Sequence, residues 1–120
     1  MVRKLSIAAA LFAALAVPPP PATAASAENG EAAFVRHGCW QCHGFAGQGS
    51  VATSAGRVIA RTQLPFDTFK AYVRNPSGAM PPFRDKILSD ADLADIYAFL
   101  QAQPPPAAVT DIPLLNDLAR

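Results

Sequence analysis

The sequence predicts an all-α fold of three main helices joined by loops. Three stretches carry apolar residues at spacings of three and four, the repeat of one buried helix face. Serine, glycine and proline bound these stretches where a helix would start or stop. No run alternates apolar and polar residues convincingly enough to read as a strand.

Residues 1–24 have the layout of a secretory signal peptide. Arg3 and Lys4 form a basic start, Leu5 to Val17 an apolar run, and Pro18 to Pro21 a helix break. Ala22-Thr23-Ala24 supplies the small residues of a cleavage site. The apolar run is about 13 residues, short of the roughly 20 needed to cross a bilayer. An uncleaved anchor is therefore the weaker reading, and no membrane span is expected after cleavage near Ala24. Cleavage removes Arg3 and Lys4 and takes the formal net charge from +1 to −1. The remaining chain has no basic run, which argues against a nucleic-acid partner. It is roughly 95 residues long, one domain with a modest core that benefits from a staple. The expected division is a leader over 1–24, a domain over 25–103 and a proline-rich extension over 104–120.

The first helix is expected from Asn29 to about Cys39. Asn29 is a candidate N-cap, and Glu31 places negative charge in the first turn. Gly30 costs helix propensity; either another helix approaches closely there, or it is a tolerated glycine at a frayed helix end. Gly44 to Ser50 holds three glycines and reads as turns with positive φ. The loop continues through Gly56 to Arg61. The second helix is expected over Phe66 to Arg74, with Phe66, Phe69 and Val73 on its apolar face, Tyr72 at its margin and Pro76 ending it. Ser89 opens the third helix as an N-cap, with Asp90 and Asp92 in its first turn. Leu93, Ile96, Tyr97 and Leu100 form its stripe, widened by Phe99, and Pro104 to Pro106 stop it. Phe34 and Tyr97 are expected to meet where the first and third helices cross over Gly30. In the tail, Asp111 is expected to cap a short helix with Ile112, Leu115 and Leu118 on one side and Leu114 beside them. That stripe is expected to fold back on the domain, since apolar stripes are mostly core; docking on a partner is the alternative.

The chemistry is concentrated in Cys39-Trp40-Gln41-Cys42-His43. Two cysteines two residues apart, followed at once by histidine, read as a c-type haem attachment site. Each thiol can add to one haem vinyl group as a thioether. On a helical turn both sulfurs lie on one face, and the following imidazole projects under the iron as proximal ligand. A thioredoxin-type dithiol is one alternative, but that fold needs alternating strands and helices. Structural zinc is another, but it needs four ligands, and only Cys39, Cys42, His43 and His37 are on offer in one short segment. Met80 is the one methionine after the leader. It sits in Asn75-Pro76-Ser77-Gly78-Ala79-Met80-Pro81-Pro82-Phe83, a stiff loop that can bring a thioether to the second axial position. The bland alternative is a core filler. His37 competes for that position but lies two residues before Cys39, on the wrong side of the haem. Arg57 and Arg61 are candidates to pair with haem propionates through bidentate contacts, or else solvated surface arginines.

On the CWQCH box, the Met80-Pro81-Pro82-Phe83 loop and the Ser89 to Leu100 helix, the chain resembles a class I c-type cytochrome, a small bacterial monohaem cytochrome c. The resemblance covers Asn29 to about Gln103. It implies a cytochrome c fold, the first and last helices packed together around one covalently bound haem c. It also implies export to the periplasm, where haem is attached, and one-electron transfer between larger redox proteins: a periplasmic dehydrogenase, an oxidase or another cytochrome. On this reading Cys39 and Cys42 attach the haem, His43 and Met80 ligate its iron, and the protein is an electron carrier with no catalytic residue. One alternative is the cytochrome subunit of a periplasmic dehydrogenase complex. A gas-binding or catalytic haem protein is less favoured, because it requires Met80 to be labile. Many relatives carry Gly-Pro after the haem box, whose carbonyl orients the proximal histidine. Here Gly56 is followed by Arg57, which leaves the orienting carbonyl open.

Overall fold

The computed structural model describes residues 24–50 and 56–118. The expected leader lies outside the described residues, apart from Ala24. The described residues are helical with no strand. The helices are α1 (Ala27–Arg36), α2 (Trp40–His43), α3 (Phe66–Arg74), α4 (Asp90–Gln101) and α5 (Pro113–Leu118), with a short 3-10 turn at Val109–Asp111.

α1 begins two residues earlier than the sequence suggests. Its N-cap is Ser26, whose hydroxyl accepts from the Asn29 N–H at 3.2 Å. A serine in extended backbone satisfies an orphan amide of the first turn, so Asn29 is already inside the helix. The helix ends at Arg36 because Gly38 adopts φ +75°, a left-handed stop, before Cys39 is reached.

α1 packs directly on α4, and Gly30 is why it can. A Cβ on Gly30 would lie 1.9 Å from the Asp95 carbonyl oxygen and 2.8 Å from the Phe99 Cβ. The two backbones are therefore in contact, as the sequence suggests for Gly30. The Ser26 N–H donates to the Asp95 carboxylate at 2.7 Å, and Arg36 pairs with Asp92 at 3.2 Å. These contacts fix the crossing at both ends of α1.

The aromatic pair at the crossing is Phe34 with Phe99, centroids 5.5 Å apart, and not Phe34 with Tyr97. Residues two apart on a helix point to nearly opposite sides. Phe99 faces α1, whereas Tyr97 faces Phe66 and Phe69 of α3 at 5.4 and 5.3 Å. The Tyr97 hydroxyl donates to the Leu64 carbonyl at 2.8 Å.

α4 starts as its punctuation predicts. The Ser89 hydroxyl accepts from the Asp92 N–H at 3.0 Å. Leu88 before the cap and Leu93 in the first turn are both 1% exposed. This is the placing of a hydrophobic staple, which fixes how the chain enters the helix. Leu88 joins Ala33, Phe34, Phe69, Val73, Leu93, Ile96, Phe99 and Leu100 in one core.

The glycine loop after α2 is held against the end of α4. Gly47 is buried at φ +71°, and a Cβ there would meet Leu100 at 2.7 Å. Its carbonyl accepts from the Ile59 and Ala60 amides at 2.8 and 2.9 Å.

The tail departs from expectation. Asp111 ends the 3-10 turn rather than capping α5, which begins at Pro113 with its preset helical φ. No α5 residue is buried, and Leu114 and Leu118 are 72% and 77% exposed. The stripe does not fold back into the core: among the described residues no hydrogen bond ties the segment after Pro106 to the rest of the domain.

Candidate functional site

Both cysteines, His43 and Met80 line a single cavity of about 940 Å³. That is near the upper end of ordinary cofactor pockets, about 300–1,000 Å³. The donors come from different parts of the chain. α2 and the residue before it carry the cysteines and His43, and the loop after α3 carries Met80. Between them the walls are apolar, including Phe34, Ile59, Phe69, Val73, Leu93 and Ile96. A second hollow of about 660 Å³ lies beside the stacked rings of Trp40 and Phe45 and contains none of the four donors. Donor chemistry singles out the larger cavity.

The short helix α2 follows directly from the turn at Gly38. Gln41 N–H donates to the Gly38 carbonyl at 3.1 Å, and His43 N–H to the Cys39 carbonyl at 3.0 Å. One turn of helix thus separates the two thiols and presents His43 at its end. Gly44 then leaves the helix at φ +74°.

His43 is oriented by a carbonyl. Its Nδ1 lies 2.8 Å from the Arg57 carbonyl oxygen. A carbonyl only accepts, so the bond requires a proton on Nδ1, and the lone pair of the neutral ring is then on Nε2. This contact answers the question left by the missing Gly-Pro pair. Arg57, standing where proline would, supplies its backbone oxygen, a function that needs no particular side chain.

The Arg57 residue also lines the cavity. Arg61 does not, and its backbone sits at φ +56° with its N–H bonded to the Leu100 carbonyl at 2.7 Å. His37 lines the cavity too, but its buried Nε2 lies beside the Asp92 carboxylate, 3.8 Å away.

The cysteines differ in surroundings. Cys42 is exposed, while Cys39 is half-buried, and burial pushes its thiol up to about 11. The attacking cysteine of a redox dithiol has a lowered pKa instead. Cys39 is protonated at neutral pH, which disfavours the dithiol reading. Among the described residues there is no group of three or more His, Cys, Asp or Glu side chains placed to hold a metal ion. Zinc therefore lacks a ligand set there.

Two thiols one helical turn apart, an imidazole with an oriented Nε2, a thioether and apolar walls form a donor set that fits a haem. Residues 25–100 match the family described as cytochrome C oxidase, cbb3-type, subunit III. The chain belongs to this family of c-type cytochromes. No curated protein and no solved structure matches it. Membership makes the protein a haem-binding, iron-containing electron-transfer protein with covalently bound haem c. The helical architecture is that of the cytochrome c fold. Redox proteins are the partners this cytochrome domain implies. Among the described residues, no helix is long and apolar enough to cross a membrane.

The four residues that the sequence offers for haem all line this cavity, but Leu88 and the roles of two backbone-directed groups are not read from the sequence. Leu88 had a readable signal, an apolar residue just before a serine N-cap. The Arg57 carbonyl had none, because a backbone acceptor leaves no trace in residue identity. Arg74 is the other. It donates to the Phe83 and Leu88 carbonyls, both at 2.7 Å, and pairs with Asp90. Its guanidinium, with Lys70 also contributing, holds the Asp90 carboxyl below its usual range.

Proposed function

We propose that the protein is a class I monohaem cytochrome c, exported by cleavage near Ala24 and carrying single electrons in the periplasm. Cys39 and Cys42 would hold the haem through thioethers, and His43 and Met80 would ligate its iron. The observation that carries this reading is the convergence of all four donors on one apolar cavity, with His43 Nδ1 held by a carbonyl. When bound, the haem supplies an iron that gains or loses one electron. The chain's residues do the rest. The Arg57 carbonyl fixes the imidazole plane, and Pro81 and Pro82 restrict the Met80 loop. The apolar walls exclude water, so little rearranges when the charge changes. A Met80 thioether beside the His43 imidazole would complete the iron's ligand set and raise its reduction potential.

Met80→Ala tests the ligand assignment. The variant is expected to keep its covalent haem but lose the weak far-red absorption band of a methionine–iron bond. Its reduced form is expected to bind carbon monoxide rapidly. Retention of the band in the variant would exclude Met80 as a ligand.

A second reading has support in the tail. Ile112, Leu114, Leu115 and Leu118 are exposed on a segment that buries nothing in the domain. This suits a cytochrome subunit seated on a larger periplasmic oxidoreductase, a dehydrogenase or an oxidase. Co-purification of such a protein with the full chain, lost on deletion of residues 107–120, would select it over a free carrier.

A further inference from the structure

We propose that Arg74 is a positioning residue that keeps the Met80 loop closed against the cavity. The proposal rests on the reading of Met80 as an axial ligand. The loop leaves α3 at Asn75 and is pinned again at Phe83, whose N–H donates to the Val73 carbonyl at 3.1 Å. That bond ties the loop's exit to the helix that launches it. Arg74 reinforces the same closure from the side. One guanidinium nitrogen donates to the Phe83 carbonyl and to the Leu88 carbonyl, both at 2.7 Å, and the other reaches Asp90. One side chain therefore joins the end of α3, the exit of the Met80 loop and the entry to α4.

The three arms differ in weight. Asp90 is 61% exposed, and an exposed ion pair contributes little. Arg74 itself is only 21% exposed, and its two carbonyl bonds are charge-assisted and partly buried. The carbonyl arms dominate. Both carbonyl arms leave one guanidinium nitrogen, so lysine keeps the charge but must bring its single ammonium to that same point on a shorter side chain, and it loses the second nitrogen that reaches Asp90.

Removing the carbonyl arms raises the fraction of time the loop is open, and a ligand that competes with Met80 binds in proportion to that fraction. The experiment compares the exported holoproteins of wild type, Arg74→Gln, Arg74→Lys, Asp90→Asn and Ser26→Ala. Ser26→Ala removes the α1 cap far along the chain from the loop and controls for general loss of stability. The readouts are carbon monoxide binding by the reduced protein, the acid pH at which the far-red band disappears, and hydrogen exchange at the loop amides.

Arg74→Gln is expected to bind carbon monoxide faster by about tenfold or more, on the scale at which one charge-assisted bond changes an equilibrium. It is expected to lose the band at higher pH than wild type and to exchange faster from Ser77 to Met80. Arg74→Lys is expected to lie between, and it carries the test if Arg74→Gln is not recovered folded. Asp90→Asn and Ser26→Ala are expected to match wild type in carbon monoxide binding. A wild-type band that Met80→Ala abolishes, with Arg74 variants indistinguishable from Asp90→Asn, would overturn the role of Arg74 alone. A wild type without the band would overturn the ligand reading and this proposal with it.

Discussion

Gly30→Ala is expected to destabilise the protein by about 3 kcal/mol or more, a large part of the roughly 5–15 kcal/mol a domain holds. Two effects oppose each other. Alanine improves helix propensity by up to about 1 kcal/mol over glycine. Against this, its Cβ would sit 1.9 Å from the Asp95 carbonyl oxygen, well inside van der Waals contact. The clash is with helix backbone, so no rotamer change relieves it. α1 must move off α4, and the move opens the interface that buries Phe34, Phe99 and Leu100. Overpacking a close-packed site usually costs about 1–3 kcal/mol, and a collision with backbone belongs at or beyond the top of that range. Urea unfolding of the holoprotein, followed by far-ultraviolet circular dichroism, measures the difference. A variant within about 0.5 kcal/mol of wild type would show that the two helices are not in backbone contact.

The Cys39→Ser, Cys42→Ser double variant is expected to lose both haem and fold. Serine keeps roughly the size of cysteine but cannot form a thioether. The cavity it leaves is about 940 Å³. That space is an open cleft with apolar walls, and leaving such walls to water forgoes apolar burial that a small core depends on. The chain therefore floods or collapses when the space is not filled. The export product is expected to show no covalent haem on a denaturing gel, weak helical dichroism and rapid proteolysis. Full helicity without haem would show that the polypeptide supports its own core, and the stapling role assigned to the cofactor would fall.

The elements most legible in the sequence are those whose ends are written in side-chain chemistry. α3 is bounded by Pro65 and Asn75-Pro76, and α4 by Ser89 and the prolines after Gln103. The haem box is legible because its spacing is itself the chemistry. α1 was harder, because its cap, Ser26, lies at the junction with the expected leader and Asn29 offered an equally good capping residue. For the aromatic contact, the sequence points to the right crossing but to the wrong partner, Tyr97 in place of Phe99. Periodicity names a face, but the Phe99 and Tyr97 faces are both apolar and only packing separates them. The tail differs from expectation for another reason: an apolar stripe looks the same in sequence whether it is buried or left exposed. What escaped entirely is what acts through backbone oxygens. The Arg57 carbonyl on His43 and the Phe83 and Leu88 carbonyls on Arg74 belong to residues whose side chains do not announce the contact.

The central claim is that one covalently bound haem sits between His43 and Met80. The absorption spectrum of the exported wild-type protein, oxidised and reduced, together with its pyridine haemochrome, tests it most directly. The account predicts a haemochrome of two thioether bonds, a low-spin spectrum in both states and the far-red methionine–iron band in the oxidised form. Protein without haem, from cells able to attach it, would contradict the claim outright.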